Sequence, residues 1–259
     1  MSILLPLLIF AGAAAGFALE KLLCECAAQA GYPFSRYRRS PRRWVLAAAG
    51  AASFAVPMVR FAPAVALCDS VFLMALLGAA CIDFEHLIIP DVFSVGLAVA
   101  SLFLSALVPA LHHGGAWSLW TALRSLAASG LGLAIGSALV LWFSLIGEAL
   151  FRKEVMGFGD VKFVGAIGAF CGWQGAVFAI FGGAAIGALA FAGRAFARRR
   201  GRSGTHLLEA HASQSGHVLP GDAESVLPFG PMLAGAAALY VLALRAPVDA
   251  YLEQYRALF

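Results

Sequence analysis

Long apolar segments separated by short polar ones make up most of this chain. Several of these segments reach the roughly 20 residues that a helix needs to cross a bilayer core of about 30 Å. The pattern predicts an all-α fold, a polytopic bundle of about eight transmembrane helices that forms a single membrane domain over residues 1–259. The predicted spans are residues 1–19, 44–59, 63–82, 91–111, 122–148, 161–173, 175–193 and 228–246.

The sixth and seventh predicted spans follow each other with almost no connecting sequence. Residues 161–173 are short for a span, and Cys171, Gly172 and Gly175 interrupt the apolar run there. Residues 161–193 therefore form two spans, one long helix broken near these residues, or a half-span that enters the bilayer and returns. The sequence leaves these alternatives open.

Small residues recur at helical spacing in two of the apolar segments, at residues 130–138 and 182–190. Small side chains let helix backbones approach each other closely inside a bilayer. We interpret both stripes as packing surfaces.

The overall composition agrees with a membrane protein. The chain is 61% hydrophobic and only 12% charged, which is outside the normal range of a soluble globular protein. Its net charge of +4 does not indicate a nucleic-acid partner, because the basic residues lie in short runs between apolar segments. We expect membrane lipids, and no nucleic acid, among its partners.

The positions of Lys and Arg predict an orientation. If the N-terminus is outside, loops 20–43, 83–90, 149–162 and 194–227 are cytoplasmic, and they hold fourteen of the eighteen Lys and Arg residues. The positive-inside rule favours this arrangement over its inverse.

The two longest of these loops carry no expected metal or cofactor. Loop 20–43 is short and basic, and its Cys24 and Cys26 form a CxC pair, from which a four-thiolate zinc site cannot be built. Loop 194–227 is polar and is predicted to be flexible. We expect no metal site at its three histidines.

Two acidic residues at predicted span ends are the candidates for catalysis. Asp83 ends the third span and Asp160 opens the sixth, so in the predicted topology both lie at the cytoplasmic edge. Acids at membrane level are costly and need a partner, water or a function. Hydrolysis of a peptide by two carboxyls needs one ionised and one protonated group, and two neighbouring carboxyls provide that division because both cannot be ionised together. On position alone, the alternative is that both are interfacial caps or ion-pair partners.

The residues around these acids form longer motifs. Gly157 and Gly159 precede Asp160 in MGFGDVKFVGAIGAFCGW, a flexible GxGD turn where a backbone can approach an extended substrate. Asp83 lies in CIDFEHLIIPD, and LPFGPMLAGA opens the last span. Together these three motifs resemble those of the type IV prepilin peptidases, a family of GxGD membrane aspartyl proteases, in the family's order.

The resemblance implies an aspartic-type endopeptidase with Asp83 and Asp160 as the catalytic pair. Its substrates would be type IV prepilins or type II secretion pseudopilins, whose short basic leader is removed at the cytoplasmic face of the bacterial inner membrane. Many members also carry two CxxC pairs in a zinc module associated with N-methylation. This chain lacks those pairs, so N-methyltransferase activity is not expected.

Three further residues are candidates for substrate binding or support, together with Gly157 and Gly159. Lys162 matches the motif and could hold Asp160, contact substrate, or serve as a positive-inside anchor. Asp91 suits the N-terminus of the fourth span as a structural cap, and Glu85 follows Asp83 in a short loop.

Other functions fit the sequence less well. A signal-peptide-peptidase or presenilin relative should carry YD and PAL motifs, whereas Asp83 follows Ile82 and the last span opens with PFGP. A proton-coupled transporter predicts acids near mid-span and an inverted repeat. A structural subunit of a secretion machine requires no acid pair.

Overall fold

The computed structural model describes residues 4–29, 42–112, 116–152, 156–201 and 228–256. Within these ranges the chain is 92% helical and contains no strand, which confirms the all-α prediction. The helices are α1 (Leu4–Gln29), α2 (Arg42–Arg60), α3 (Pro63–His86), α4 (Asp91–Leu107), α5 (Leu119–Phe151), α6 (Phe158–Gly201), α7 (Gly230–Leu239) and α8 (Arg245–Arg256). A 3₁₀ turn, Pro109–Leu111, follows α4, and a π-helical turn, Tyr240–Leu244, joins α7 to α8.

The helix boundaries follow from local sequence. Pro63 begins α3, where its missing N–H needs no partner. Pro90 has an extended backbone immediately before α4 and makes Asp91 the first helical residue. Ser118 starts α5 through a capping box, because its Oγ accepts the Thr121 N–H at 3.1 Å.

Five helical segments of the described chain are long and apolar enough to cross a membrane. They are Pro6–Leu23, Pro63–Phe84, Leu119–Phe151, Phe158–Arg194 and Gly230–Val248, and the apolar helix Asp91–Leu107 is shorter. Each of the eight predicted spans has a helical counterpart, so the protein is a multi-pass helical bundle. The count of eight membrane crossings stays a prediction.

The long helix α6 is broken at one glycine. Gly172 has φ 74° and ψ 176°, outside helical geometry and in the positive-φ region that glycine adopts without steric cost. A Cβ placed on Gly168 would lie 3.2 Å from the Ala176 Cβ, although eight residues of continuous helix span about 12 Å. The two halves of α6 therefore fold back on each other, which resolves the alternatives for residues 161–193 in favour of two helices joined at Gly172.

The small-residue stripes pack as predicted. A Cβ on Gly132 in α5 would run into the Gly168 carbonyl of α6, and one on Gly183 would meet Leu233 of α7 at 3.1 Å. These glycines bring backbones close enough that larger side chains cannot be placed between them. The first half of α6 is consequently surrounded by other helices, and residues 163–172 are all buried.

The core extends between α3 and this first half of α6. Phe72 and Phe170 stack with ring centroids 4.1 Å apart and an interplanar angle of 4°. Three residues before Phe72 on the same helix, the Asp69 carboxylate accepts a hydrogen bond from Arg245 at 3.2 Å. Arg245 also donates to the Leu111 carbonyl, and both charged side chains are buried. This ion pair joins the beginning of α3 to the beginning of α8.

The end of the bundle that holds Asp83 lies opposite that ion pair. Asp83 near the end of α3 contacts Gly230 at the start of α7, and Asp91 at the start of α4 contacts Lys162 near the start of α6. The last turns of α5 lie here as well, since Ser144 Oγ donates to the Met156 carbonyl. The observed helices differ from the predicted spans at their ends, most clearly at the C-termini of α1 and α6, which continue to Gln29 and Gly201.

Candidate active site

Asp83 is held at the last full turn of α3. Its side chain is only 6% exposed, and its Oδ2 accepts the backbone N–H of Gly230 at 2.9 Å. The helix ends one turn later at Leu87, whose left-handed backbone directs its N–H to the Asp83 carbonyl at 2.9 Å. Asp83 is therefore fixed from its own helix and from α7.

Asp160 lies in the first turn of α6, directly after the two glycines of the GxGD turn. Its backbone N–H donates to the Gly157 carbonyl at 3.1 Å, which closes the turn and starts the helix. The side chain is partly buried and interacts electrostatically with Asp83. The two acids, 77 positions apart in sequence by their numbers, are thus neighbours in space.

Both carboxyl groups line one cavity of about 320 Å³ at this end of the bundle. Its wall comes from the α3–α4 connection, the GxGD turn and the first turn of α6. The lining residues are Asp83, Leu87, Ile88, Ile89, Asp91, Gly157, Phe158, Gly159, Asp160 and Lys162. The cavity combines an apolar wall with the two candidate carboxyls and with Asp91 and Lys162, an arrangement that fits a peptide with apolar side chains next to the bond that reacts.

Asp91 and Lys162 form an ion pair at the rim of this cavity. Lys162 Nζ lies 2.8 Å from Asp91 Oδ1 and 5.3 Å from the centre of the Phe158 ring. Both side chains are partly exposed, 33% for Lys162 and 68% for Asp91. Asp91 is the first residue of α4, and the described partner of its side chain is Lys162.

The GxGD glycines leave open space beside the acids. A Cβ on Gly157 would come no closer than 4.0 Å to Asp160 Oδ2, and a Cβ on Gly159 would lie 3.7 Å from the Ile89 Cβ. Neither glycine is required by packing within the protein. The free space faces the cavity, where an incoming backbone would lie.

The side chain of Glu85, another predicted site residue, lies outside the described part of the chain.

Gly230 is the contact that the sequence reasoning missed. The motif LPFGPMLAGA predicts the start of the last span, but the sequence alone gives Gly230 no role. The missing information was spatial, because Gly230 and Asp83 are 147 residues apart.

The chain also contains a buried acid, Asp69, whose pairing with Arg245 gives it a partner inside the bundle.

A multi-pass bundle with two carboxyls in one cavity, level with its helix ends, has the pair of groups that an aspartyl-type hydrolase requires. Comparison with known proteins gives a family match over part of the chain. Residues 70–192, which contain both acids, match the model of the type IV leader peptidase family. This segment of the chain is thus similar to the type IV leader peptidases.

Relatives with curated descriptions point to the same family. The chain is 32% identical over 173 residues to the prepilin leader peptidase/N-methyltransferase of Burkholderia pseudomallei strain 1026b, and equally to that of strain K96243. Each match covers 64% of this chain and 43% of the relative, so the chain spans less than half the length of these relatives. No solved structure matches the chain significantly.

Proposed function

We propose that this chain is an aspartic-type endopeptidase that removes the short basic leader from type IV prepilin or type II pseudopilin precursors. The observation that carries the proposal is the meeting of Asp83 and Asp160 in one cavity, within the segment that matches the type IV leader peptidase family. The substrate class comes from that family, whose curated relatives act on prepilin leaders by name.

The chemistry needs the two carboxyls in different protonation states. The ionised carboxylate takes a proton from a water molecule, and the water oxygen attacks the carbonyl carbon of the scissile peptide bond. The protonated carboxyl hydrogen-bonds the carbonyl oxygen, where negative charge develops. Transfer of a proton to the amide nitrogen then lets the C–N bond break, releasing the leader and the new N-terminus.

We place this reaction at the cytoplasmic face of the bacterial inner membrane. Lys21, Arg43, Arg152, Lys162 and Arg194 lie toward the end of the bundle that holds the cavity. Arg60, Arg124 and Arg245 lie toward the other end. This asymmetry among the described residues supports the orientation given by the positive-inside rule. The apolar helix of the substrate would stay in the bilayer while its leader junction reaches the cavity.

The Asp91–Lys162 pair supports this site by joining the start of α4 to the start of α6. We propose that it keeps the GxGD turn, and thus Asp160, beside Asp83. Gly157 and Gly159 would admit the extended substrate backbone, because the nearest described atoms lie only at ordinary contact distance from the Cβ position of each.

We further propose that this chain does not methylate the new N-terminus. The five cysteines of the sequence include no CxxC pair, so the four-thiolate module associated with that activity cannot be formed from them. Mass spectrometry of a mature pilin processed by this protein alone gives the test, and a methylated N-terminal residue would contradict the proposal.

The peptidase proposal is tested by coexpressing the protein with a prepilin and following leader removal on a gel. We expect wild type to cleave and both Asp83→Asn and Asp160→Asn to lose at least about a hundredfold in rate, the usual contribution of an acid or base group. Glu148→Gln, at an exposed carboxylate of α5, is the matched control and should cleave normally. Unimpaired cleavage by either Asp variant, or cleavage within the apolar helix of the substrate, would contradict the proposal.

A further inference from the structure

The first residue of α7 is in contact with a carboxyl group of the candidate site. The N–H of Gly230 donates to Asp83 Oδ2 at 2.9 Å, and both residues are buried. A buried carboxylate without a donor is costly, and a backbone N–H that points at it favours the ionised form. The N-terminal end of a helix also carries a partial positive charge, because its peptide dipoles are aligned.

The carboxyl group also leaves no room for a side chain on this residue. A Cβ on Gly230 would lie 2.6 Å from Asp83 Oδ2, 2.9 Å from its Cγ and 3.1 Å from its Cβ. Contacts this short force either α7 or the carboxyl to move. Only glycine at position 230 lets the backbone N–H of this residue reach hydrogen-bond distance of Asp83 Oδ2, because any side chain would collide with the carboxyl group.

The charged groups around Asp83 differ from Gly230 in the contacts that are described for them. Asp160 is the like-charged partner, and α7 itself carries no titratable residue over Gly230–Leu239. Asp91 and Lys162 face the same cavity but pair with each other. His86 follows Asp83 by three residues on the same helix. The N–H of Gly230 is the described hydrogen-bond donor to the Asp83 carboxylate.

We infer that Gly230 is a positioning residue for Asp83: its amide orients the carboxylate and favours its ionised form, so that Asp83 enters the reaction ionised and accepts the proton from water. This inference rests on the proposed peptidase function. It gives Asp83 and Asp160 different roles, whereas the sequence predicts only that they form a pair. It also gives the last helix a part in the chemistry, since α7 brings the amide to α3.

The kinetic test compares Gly230→Ala with wild type on a prepilin. We expect kcat to fall about tenfold or more with KM changed less than about twofold, and the acidic limb of the kcat profile to move about one pH unit higher. Gly235→Ala is the matched control on the same helix, because its Cβ would meet only Ile186 at 3.9 Å, and it should behave as wild type. An unchanged acidic limb in Gly230→Ala, or a shift of the alkaline limb alone, would overturn the inference.

A second measurement does not depend on cleavage. In the Asp160→Asn background, Asp83 is the remaining carboxyl of the pair, and its protonation is followed by the infrared absorption of protonated carboxyl groups in purified protein. Adding Gly230→Ala to Asp160→Asn should raise the midpoint pH at which Asp83 is protonated by about one unit. The reference is the double variant Asp160→Asn plus Gly235→Ala, which should show the same midpoint as Asp160→Asn alone. No change would overturn the role of Gly230, even if the protein cleaves no prepilin. Failure of wild type to cleave would instead overturn the proposed function.

Discussion

Arg245 and Asp69 form a buried ion pair, with Arg245 Nη1 3.2 Å from Asp69 Oδ1, at the end of the bundle opposite the candidate active site. The second oxygen of Asp69 is buried and has no hydrogen-bond partner among the residues that the structure describes. Arg245 also donates to the Leu111 carbonyl, so the pair connects α3, the turn after α4, and α8. Breaking such a pair leaves an uncompensated buried charge.

Removing Arg245 should therefore destabilise the protein. We expect Arg245→Met to cost roughly 3–5 kcal/mol in the free energy of unfolding, and the double variant with Asp69→Asn to recover part of that loss. Thermal unfolding in detergent checks this, with Arg124→Met at an exposed position as the control. A wild-type unfolding temperature for Arg245→Met would show that the pair does not hold the helices together.

The pair between Asp91 and Lys162 should affect catalysis more than stability. Because both side chains are partly exposed, we expect Asp91→Ala or Lys162→Ala to change stability by about 1 kcal/mol or less. Each should lower kcat several-fold, about the effect of 1 kcal/mol on a rate, through displacement of the GxGD turn. Exchange of the two residues, Asp91→Lys with Lys162→Asp, should restore part of the rate.

Cleavage assays and thermal unfolding measure the two effects separately. Lys21→Ala, another exposed basic residue toward the same end of the bundle, is the control for a general loss of positive charge. If Lys162→Ala keeps the wild-type rate, the pair has no positioning role.

The GxGD glycines should be required for substrate rather than for folding. Since a Cβ on Gly159 would make only an ordinary contact at 3.7 Å, Gly159→Ala should unfold at the wild-type temperature. The added methyl narrows the space for a substrate backbone, so we expect kcat/KM to fall about tenfold, or 1.4 kcal/mol. Gly157→Ala should act in the same direction.

Gly193→Ala provides the comparison, because no atom lies within 4 Å of its Cβ position, far along the second half of α6. The prediction is wrong if Gly157→Ala and Gly159→Ala cleave prepilin as fast as Gly193→Ala does. In that case the substrate backbone does not approach this turn.

The break in α6 should depend on Gly172. An L side chain at φ 74° is strained, and its Cβ would also lie 3.0 Å from Gln174 Oε1. We expect Gly172→Ala to lower stability by roughly 1–2 kcal/mol. Gly96→Ala in α4, where the nearest contact is 3.8 Å, should be neutral or slightly stabilising. Equal unfolding temperatures for the two variants would contradict the strained geometry at Gly172.

The sequence by itself determined the class of fold and the candidate acids. Apolar length and charge asymmetry predicted a multi-pass helical bundle, because each helix satisfies its own backbone hydrogen bonds and must match the bilayer in length. Asp83 and Asp160 stood out because acids are rare at membrane level, and their motifs resembled those of the family whose model matches residues 70–192.

Only the tertiary structure decided what each acid contacts. The pairs Asp83–Gly230, Asp91–Lys162 and Asp69–Arg245 join residues 147, 71 and 176 positions apart. Such contacts depend on how helices rotate and cross, which is set by close packing of small residues along whole interfaces rather than by any local pattern. The same is true at Gly172, where the sequence marked a break but the reversal depends on where α5 and α7 hold the two halves of α6.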